Sequence, residues 1–373
     1  MKRIAHNPRD DWETRVESKG FIFHTDEGQP YWDESAYYHF TSSEIDQFEK
    51  ATYALNDMCL KAVQHVIDRK LFDQFQIPER FIPWLIQSWE IEDFSLYGRF
   101  DLAYDGIHPP KLLEYNADTP TALIEAAVIQ WFWMKDEFPQ LDQFNSIHEK
   151  LIGAWKRAQP TIDSRIYFSS VKDHIEDFMT ASYLRDTAIQ AGIETGYIQI
   201  QQIGWNSRLK AFVEMNDAPL RHCFKLYPWE WMLRESFSSF LPLNTTRWLE
   251  PPWKMLLSNK AILPVLWKLF PSSPYLLPAS FEPMRGSYVR KPALSREGAN
   301  VTIVKNDEIV EETEGAYSGP YIYQQYFPLP EFEGNRPVIG SWFVDGYACG
   351  IGIREDQALV TGNMSRFVPH VFS

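Results

Sequence analysis

Leu113-Glu114-Tyr115-Asn116-Ala117-Asp118, read together with Gly98-Arg99-Phe100-Asp101 just upstream, decides how this chain is built around its chemistry. Two strand-like runs between Ser95 and Asn116 flank Tyr104-Asp105-Gly106-Ile107-His108-Pro109-Pro110. That loop composition breaks helix and favours a turn, so the segment is predicted to be a hairpin. Glu114 and Asn116 stand two apart in one strand and leave the same face, where Asp101 on the partner strand can meet them. Three converging oxygen-bearing side chains suit magnesium, which combines a few protein oxygens with water and phosphate, better than zinc, which favours histidine and cysteine. The spacing alone fits solvated strand residues equally well. Arg99 fits a salt bridge to Asp101 as well as it fits a guanidinium that meets phosphate or carboxylate.

Working outward, Lys291 closes the strand-like run Ser287-Tyr288-Val289-Arg290-Lys291. It precedes the loop Ser295-Arg296-Glu297-Gly298-Ala299-Asn300, where backbone amides and cationic side chains can cradle a triphosphate without a Walker sequence. Lys260, in Asn259-Lys260-Ala261-Ile262-Leu263-Pro264, offers a second cation, although a solvent-facing helical position explains it too. Gln324-Gln325-Tyr326-Phe327 offers backbone edges and an aromatic wall to an adenine, and also has the composition of an edge strand. Together these are the parts that phosphoryl transfer requires: metal ligands, phosphate-holding lysines and a glycine-bearing cover. ATP and Mg2+ are therefore expected here.

The composition narrows the function class. The chain has 373 residues, 45% hydrophobic and 15% aromatic, enough for two or three fused lobes. Its net charge of -14 argues against a nucleic-acid partner or an anionic membrane surface and favours cationic ligands such as polyamines. Three scattered cysteines, Cys59, Cys223 and Cys349, fit a reducing cytoplasm rather than a disulfide scaffold. No apolar run approaches a membrane span and no export signal is expected. The nine histidines form no HxxxH or HxH pair and no GxSxG occurs, which disfavours a histidine-centred hydrolase. Most tryptophans, such as those of Trp131-Phe132-Trp133, fall in apolar helical contexts that suit core packing.

Thr41 or Ser42 is predicted to cap a helix running to Leu71, with Glu44 in its first turn. A second helix is predicted from Thr121 to Lys135, capped by Thr119 or Thr121. Between Ile162 and Gln202, strand-like Ile166-Tyr167-Phe168 and Tyr197-Ile198-Gln199-Ile200 bracket a helix ending near Gly192, a βαβ-like unit. Further helices are expected over Pro228 to Phe240 and Asn259 to Phe270, and the last third reads as largely antiparallel sheet. Three sub-lobes follow: a helical N-terminal segment (1–94), a metal and substrate lobe (95–250) and a nucleotide-binding lobe (251–373).

From Ser95 to near the C-terminus these blocks, with Glu125-Ala126, Gly153-Ala154-Trp155-Lys156, Lys291-Pro292 and Tyr323-Gln324-Gln325, resemble the synthetase domain of the glutathionylspermidine synthase family. The resemblance implies an α/β (α+β) permuted ATP-grasp fold and an ATP-dependent acid–amine ligase acting through an acyl phosphate. It implies Mg2+ on Asp101, Glu114 and Asn116, and nucleotide phosphates on Lys260 and Lys291. It further implies adenine along Gln324, Gln325, Tyr326 and Phe327, and a covering loop with Arg296 and Gly298. Arg99 corresponds to the arginine where the acid's carboxylate meets the transferred phosphate. Thr119, Glu176 and Asp177 match positions facing the acid or amine, and Arg354 matches a mobile arginine near the end of the sheet. Two hydroxyls of the bifunctional members are replaced here by Leu226 and Trp231, which puts glutathione in doubt. The length also leaves no room for their amidase domain. A small peptide or amino acid and an amine or polyamine are the expected substrates. The alternative is a nucleotide-binding interaction protein that keeps ATP affinity without ligation.

Overall fold

The computed structural model describes residues 1–26 and 28–373. Its first long element, α1 (Ser42–Asp68), begins at a reciprocal capping box. Glu44 N donates to Thr41 Oγ1 at 3.3 Å and Thr41 N donates to Glu44 Oε2 at 2.9 Å. Phe48, Leu55, Cys59 and Val63 lie on its buried face, at the helical spacing legible in the sequence. The predicted hairpin forms from β1 (Tyr97–Ala103) and β2 (Lys111–Asn116), antiparallel, with Arg99 opposite Asn116 and Asp101 opposite Glu114.

A βαβ unit follows: β3 (Ile166–Ser170), α2 (Ile175–Gln190) and β4 (Thr195–Gln199), the two strands parallel. With β5 (His222–Leu226) and β6 (Arg247–Leu249) they make a parallel sheet ordered β6-β5-β3-β4. Next come α3 (Ile262–Leu269), β7 (Ala279–Ser280), β8 (Tyr288–Pro292), β9 (Thr302–Lys305), β10 (Glu308–Glu312) and β11 (Tyr321–Gln325). These strands form an antiparallel sheet ordered β7-β11-β8-β9-β10. Finally β12 (Arg336–Val344), β13 (Tyr347–Asp356) and β14 (Arg366–Val368) join the hairpin in the order β14-β13-β12-β1-β2. The hairpin that carries the carboxylates is therefore held by strands from the end of the chain.

Three predicted helices differ in extent. The segment predicted from Thr121 starts at Leu123 after Ala122 at φ +60°, passes through a π turn at Glu125–Ile129, and ends as an α-helix at Gln130–Glu137. Neither threonine caps it, since the helical turns begin only past Ala122 and the Thr119 hydroxyl is taken by Arg296. The Thr121 carbonyl accepts from Arg99 Nη1 at 2.7 Å and the Thr119 hydroxyl accepts from Arg296 Nη1 at 2.7 Å. The helix predicted over Pro228 to Phe240 reduces to one turn, Trp229–Met232, and a later 3-10 segment, Ser238–Leu243. Trp229 fixes the first turn: its backbone N–H donates to Asp118 and its indole to the Glu250 carbonyl, so its ring is buried. α3 begins after Asn259-Lys260-Ala261, a turn pinned when Lys260 N donates to the Ala293 carbonyl at 2.9 Å.

Two buried acids anchor the frame. Glu250 accepts from Leu96 N, Tyr97 N and Ser95 Oγ and pairs with Lys254 at 2.9 Å, fixing the start of β1. Asp118 and Lys225, both with fully buried side chains, pair at 2.7 Å, while Asp118 Oδ2 accepts from Trp229 N. This pair ties the loop after β2 to the end of β5.

Candidate active site

The two antiparallel sheets and the carboxyl edge of the parallel sheet enclose one cavity of about 450 Å³, within the range of small-molecule sites. Arg99, Asp101, Glu114, Asn116, Lys260, Lys291, Arg296, Gly298 and Gln324 to Phe327 all line it, as do Thr119, Asp177 and Arg354. Of the residues singled out in the sequence, Glu176 alone is not in the lining; it is buried on the first turn of α2.

The hairpin register builds the carboxylate end. Arg99 bonds Asp101 in a fork, Nε to Oδ1 at 2.6 Å and Nη2 to Oδ2 at 3.0 Å. Asn116 Nδ2 lies 2.9 Å from Asp101 Oδ2 and 3.2 Å from Glu114 Oε1, so the three side chains converge. Room for Arg99 comes from Gly340 on β12, where a Cβ would stand 2.7 Å from Arg99 Cδ. Trp342, two residues on, lies under the guanidinium, with Arg99 Cζ 5.6 Å from the ring centroid. Burial pushes the Asp101 carboxyl up, opposed by Arg99. Burial lowers Arg99 in turn, but Asp101 outweighs it and holds the guanidinium charged.

The lysines come from opposite sides. Lys260 Nζ stands 3.2 Å from Glu114 Oε2 and donates to the Ser295 carbonyl at 2.5 Å. Lys291 Nζ donates to Gln324 Oε1 at 2.9 Å and to the Leu113 carbonyl at 3.1 Å, and Gln324 Nε2 donates to the Leu112 carbonyl. Burial raises the Glu114 carboxyl, but Lys260 and Lys291 outweigh it and hold it at about 2. Burial lowers Lys291 to about 8 despite Glu114. The solvated-strand and surface-lysine readings are thus displaced: Lys291 is buried, Asp101, Glu114, Asn116 and Lys260 are partly buried, and the groups face one another.

Gly298 sits at φ +70°, and a Cβ there would stand 2.7 Å from the Thr361 carbonyl. Its loop therefore touches the 359–363 segment, whose carbonyls at Gly362 and Asn363 accept from Arg354 Nη2 at 2.8 and 2.6 Å. Arg296 pairs with Glu230 at 2.8 Å. The fit to magnesium rests on the donor set. Asp101 and Glu114 are hard carboxylate oxygens, and rotation of the Asn116 amide would add a third. Among the described residues no group of three or more His, Cys, Asp and Glu side chains is placed to hold a metal, which leaves these two carboxylates and an amide.

Several contributors have no role assigned to them in the sequence reading. Gly340 had a signal, since an isolated glycine inside a strand marks a close approach. Glu230, Asp118 and Lys225 had none, because their partners are far away in sequence. Nor had Glu125 on the π turn, which is 1% exposed and has no hydrogen-bond partner for either carboxylate oxygen. Burial and the neighbouring Glu176 raise it to about 7.

The glutathionylspermidine synthase preATP-grasp family model matches residues 3–373. A Haemophilus influenzae protein provisionally named an acid–amine ligase is 41% identical over the full length of both chains. The trypanothione synthetase of Crithidia fasciculata is 31% identical over 84% of this chain and 53% of its own length. The bifunctional glutathionylspermidine synthetase/amidase of Escherichia coli is 30% identical over 95% of this chain and 61% of its own length. The chain thus spans a little over half of these two longer relatives. A glutathione synthetase-like effector of Globodera pallida has the same fold, with a TM-score of 0.60 at 10% identity, covering 97% of this chain and 96% of that one. The chain belongs to the glutathionylspermidine synthase preATP-grasp family and is, with its relatives, an amide-forming ligase of the acid–amine class.

Proposed function

We propose that the cavity joins a small acid to an amine at the expense of ATP, the acid being activated as an acyl phosphate. The observation that carries this is that Lys260 and Lys291 face the Arg99, Asp101, Glu114 and Asn116 side chains of the hairpin within one cavity. Lys260 and Lys291 hold the nucleotide phosphates, and Gln324 to Phe327 border the base. Arg99 orients the acid's carboxylate toward the γ-phosphorus and stabilises the charge that develops there. A carboxylate oxygen forms the new bond to phosphorus as the bond to ADP breaks. The amine nitrogen then attacks the acyl carbon, inorganic phosphate leaves, and a proton passes to solvent or base. Asp101, Glu114 and Asn116 would hold Mg2+, which supplies neutralisation of phosphate charge when bound. Arg296 and Gly298 close the roof, excluding water that would hydrolyse the activated acid. Thr119, Asp177 and Arg354 border the acid and amine.

The net charge of -14 and Asp177 on the cavity wall support a cationic amine such as a polyamine as the second substrate. The test is ADP release from Mg-ATP with pairs drawn from small acids and amines, followed by mass analysis. Amide and ADP in equal amounts are expected for one pair. ADP release that no acid stimulates would overturn the reading.

A further inference from the structure

One wall of the cavity is not used by the chemistry above. Parallel strands β3 and β5 end side by side, with Leu226 opposite Ser170. Just past that edge Val171, Leu226, Pro228 and Trp231 line the cavity, and Trp231 stays 38% exposed. Ligands of open α/β sheets bind beyond the carboxyl ends of such strands.

The polar groups around this wall already satisfy one another. Arg296 is forked onto Glu230 at 2.8 and 3.0 Å and donates to Thr119, while Asp177 Oδ1 lies 3.3 Å from His174 Nδ1. What the wall leaves uncovered is apolar surface. It belongs to the same cavity as Arg99. Thr121 accepts from Arg99, and Thr119, two residues earlier, accepts from Arg296, whose Cζ is 6.0 Å from the Trp231 ring centroid. An acid whose carboxylate meets Arg99 sits in the cavity that this wall lines, where its side chain finds apolar surface to pack on.

We propose that the acid substrate is an amino acid or short peptide with an aromatic or branched aliphatic side chain, which packs on Leu226 and Trp231. The inference rests on the ligase reading. It disfavours, as the preferred acid, one whose side chain needs polar contacts at this wall, because Arg296, Glu230 and Asp177 are already paired there.

The test measures acid-dependent ADP release with Mg-ATP and a fixed amine, for acids sharing one backbone and bearing hydrogen, hydroxymethyl, isobutyl or benzyl side chains. Isobutyl and benzyl acids are expected to show a KM at least about tenfold lower than the two small ones, the range a hydrophobic pocket can deliver. In Trp231→Thr and in Leu226→Thr that preference should collapse through KM, with kcat changed less, while Trp231→Phe retains it. Circular dichroism checks the fold of each variant. Turnover with equal or lower KM for the small polar acids would overturn the apolar wall and leave the ligase reading intact. No stimulation by any acid, with nucleotide still bound, would overturn both.

Discussion

Glu114 touches both halves of the problem, lying between Lys260 and Lys291 and beside Asn116. Its carboxyl is held at about 2, below the ordinary 4.5, so the stability it contributes is complete above pH 4.5 and is lost as pH falls toward 2. Acid denaturation of Glu114→Gln should lack this loss, a difference of roughly 3 kcal/mol across that window, measured by urea midpoints. Lys291 works in the opposite direction. Burial lowers it to about 8, so its charge in the free protein fades as pH rises through 8. ATP affinity should therefore weaken above pH 8 in the wild type, and Lys291→Met should flatten that dependence while weakening binding throughout. Calorimetric titration from pH 6.5 to 9.5 reads both. Which side chains share the hairpin face was legible, because a period of two and a turn fix it. That Lys260 reaches Glu114 was not, because that contact spans separate elements.

At the scale of elements, strand glycine and buried charge set the geometry. Gly340→Ala would drive a methyl into Arg99 Cδ and displace the guanidinium from the Asp101 face. The expected result is at least a tenfold loss in kcat with nucleotide affinity nearly kept. Lys225→Met would strand Asp118 without its ion partner at a fully buried site. That should cost about 3–5 kcal/mol in denaturant stability and loosen the loop carrying Thr119. Helix and strand types were largely readable, but several extents were not. The helix after Pro120 begins late, past Ala122 at φ +60°, with the Thr119 hydroxyl bound to Arg296 and the Thr121 carbonyl bound to Arg99. The strand Glu308–Glu312, rich in glutamate, has little strand character in its composition; pairing with Thr302–Lys305 orders it.

For the whole molecule, the hairpin sheet and the parallel sheet share an apolar core through Tyr97, Trp342, Phe168 and Phe224. Glu125, buried without a hydrogen-bond partner, shows the sign of the cost of a charge placed inside the protein. A carboxyl raised to about 7 is favoured in its neutral form on folding, so stability falls as pH rises from about 4.5 to 7 and stays lower above it. Glu125→Gln should be more stable than wild type above pH 7 and equal to it near pH 4, as thermal melts across pH would show. The central claim is that an acid's own carboxylate oxygen attacks the γ-phosphoryl group in this cavity. The most direct test uses an acid labelled with oxygen-18 in its carboxylate, with Mg-ATP and amine, and mass analysis of the phosphate released. One labelled oxygen in the phosphate for each amide formed is the predicted result, and amide formation with unlabelled phosphate would contradict the account.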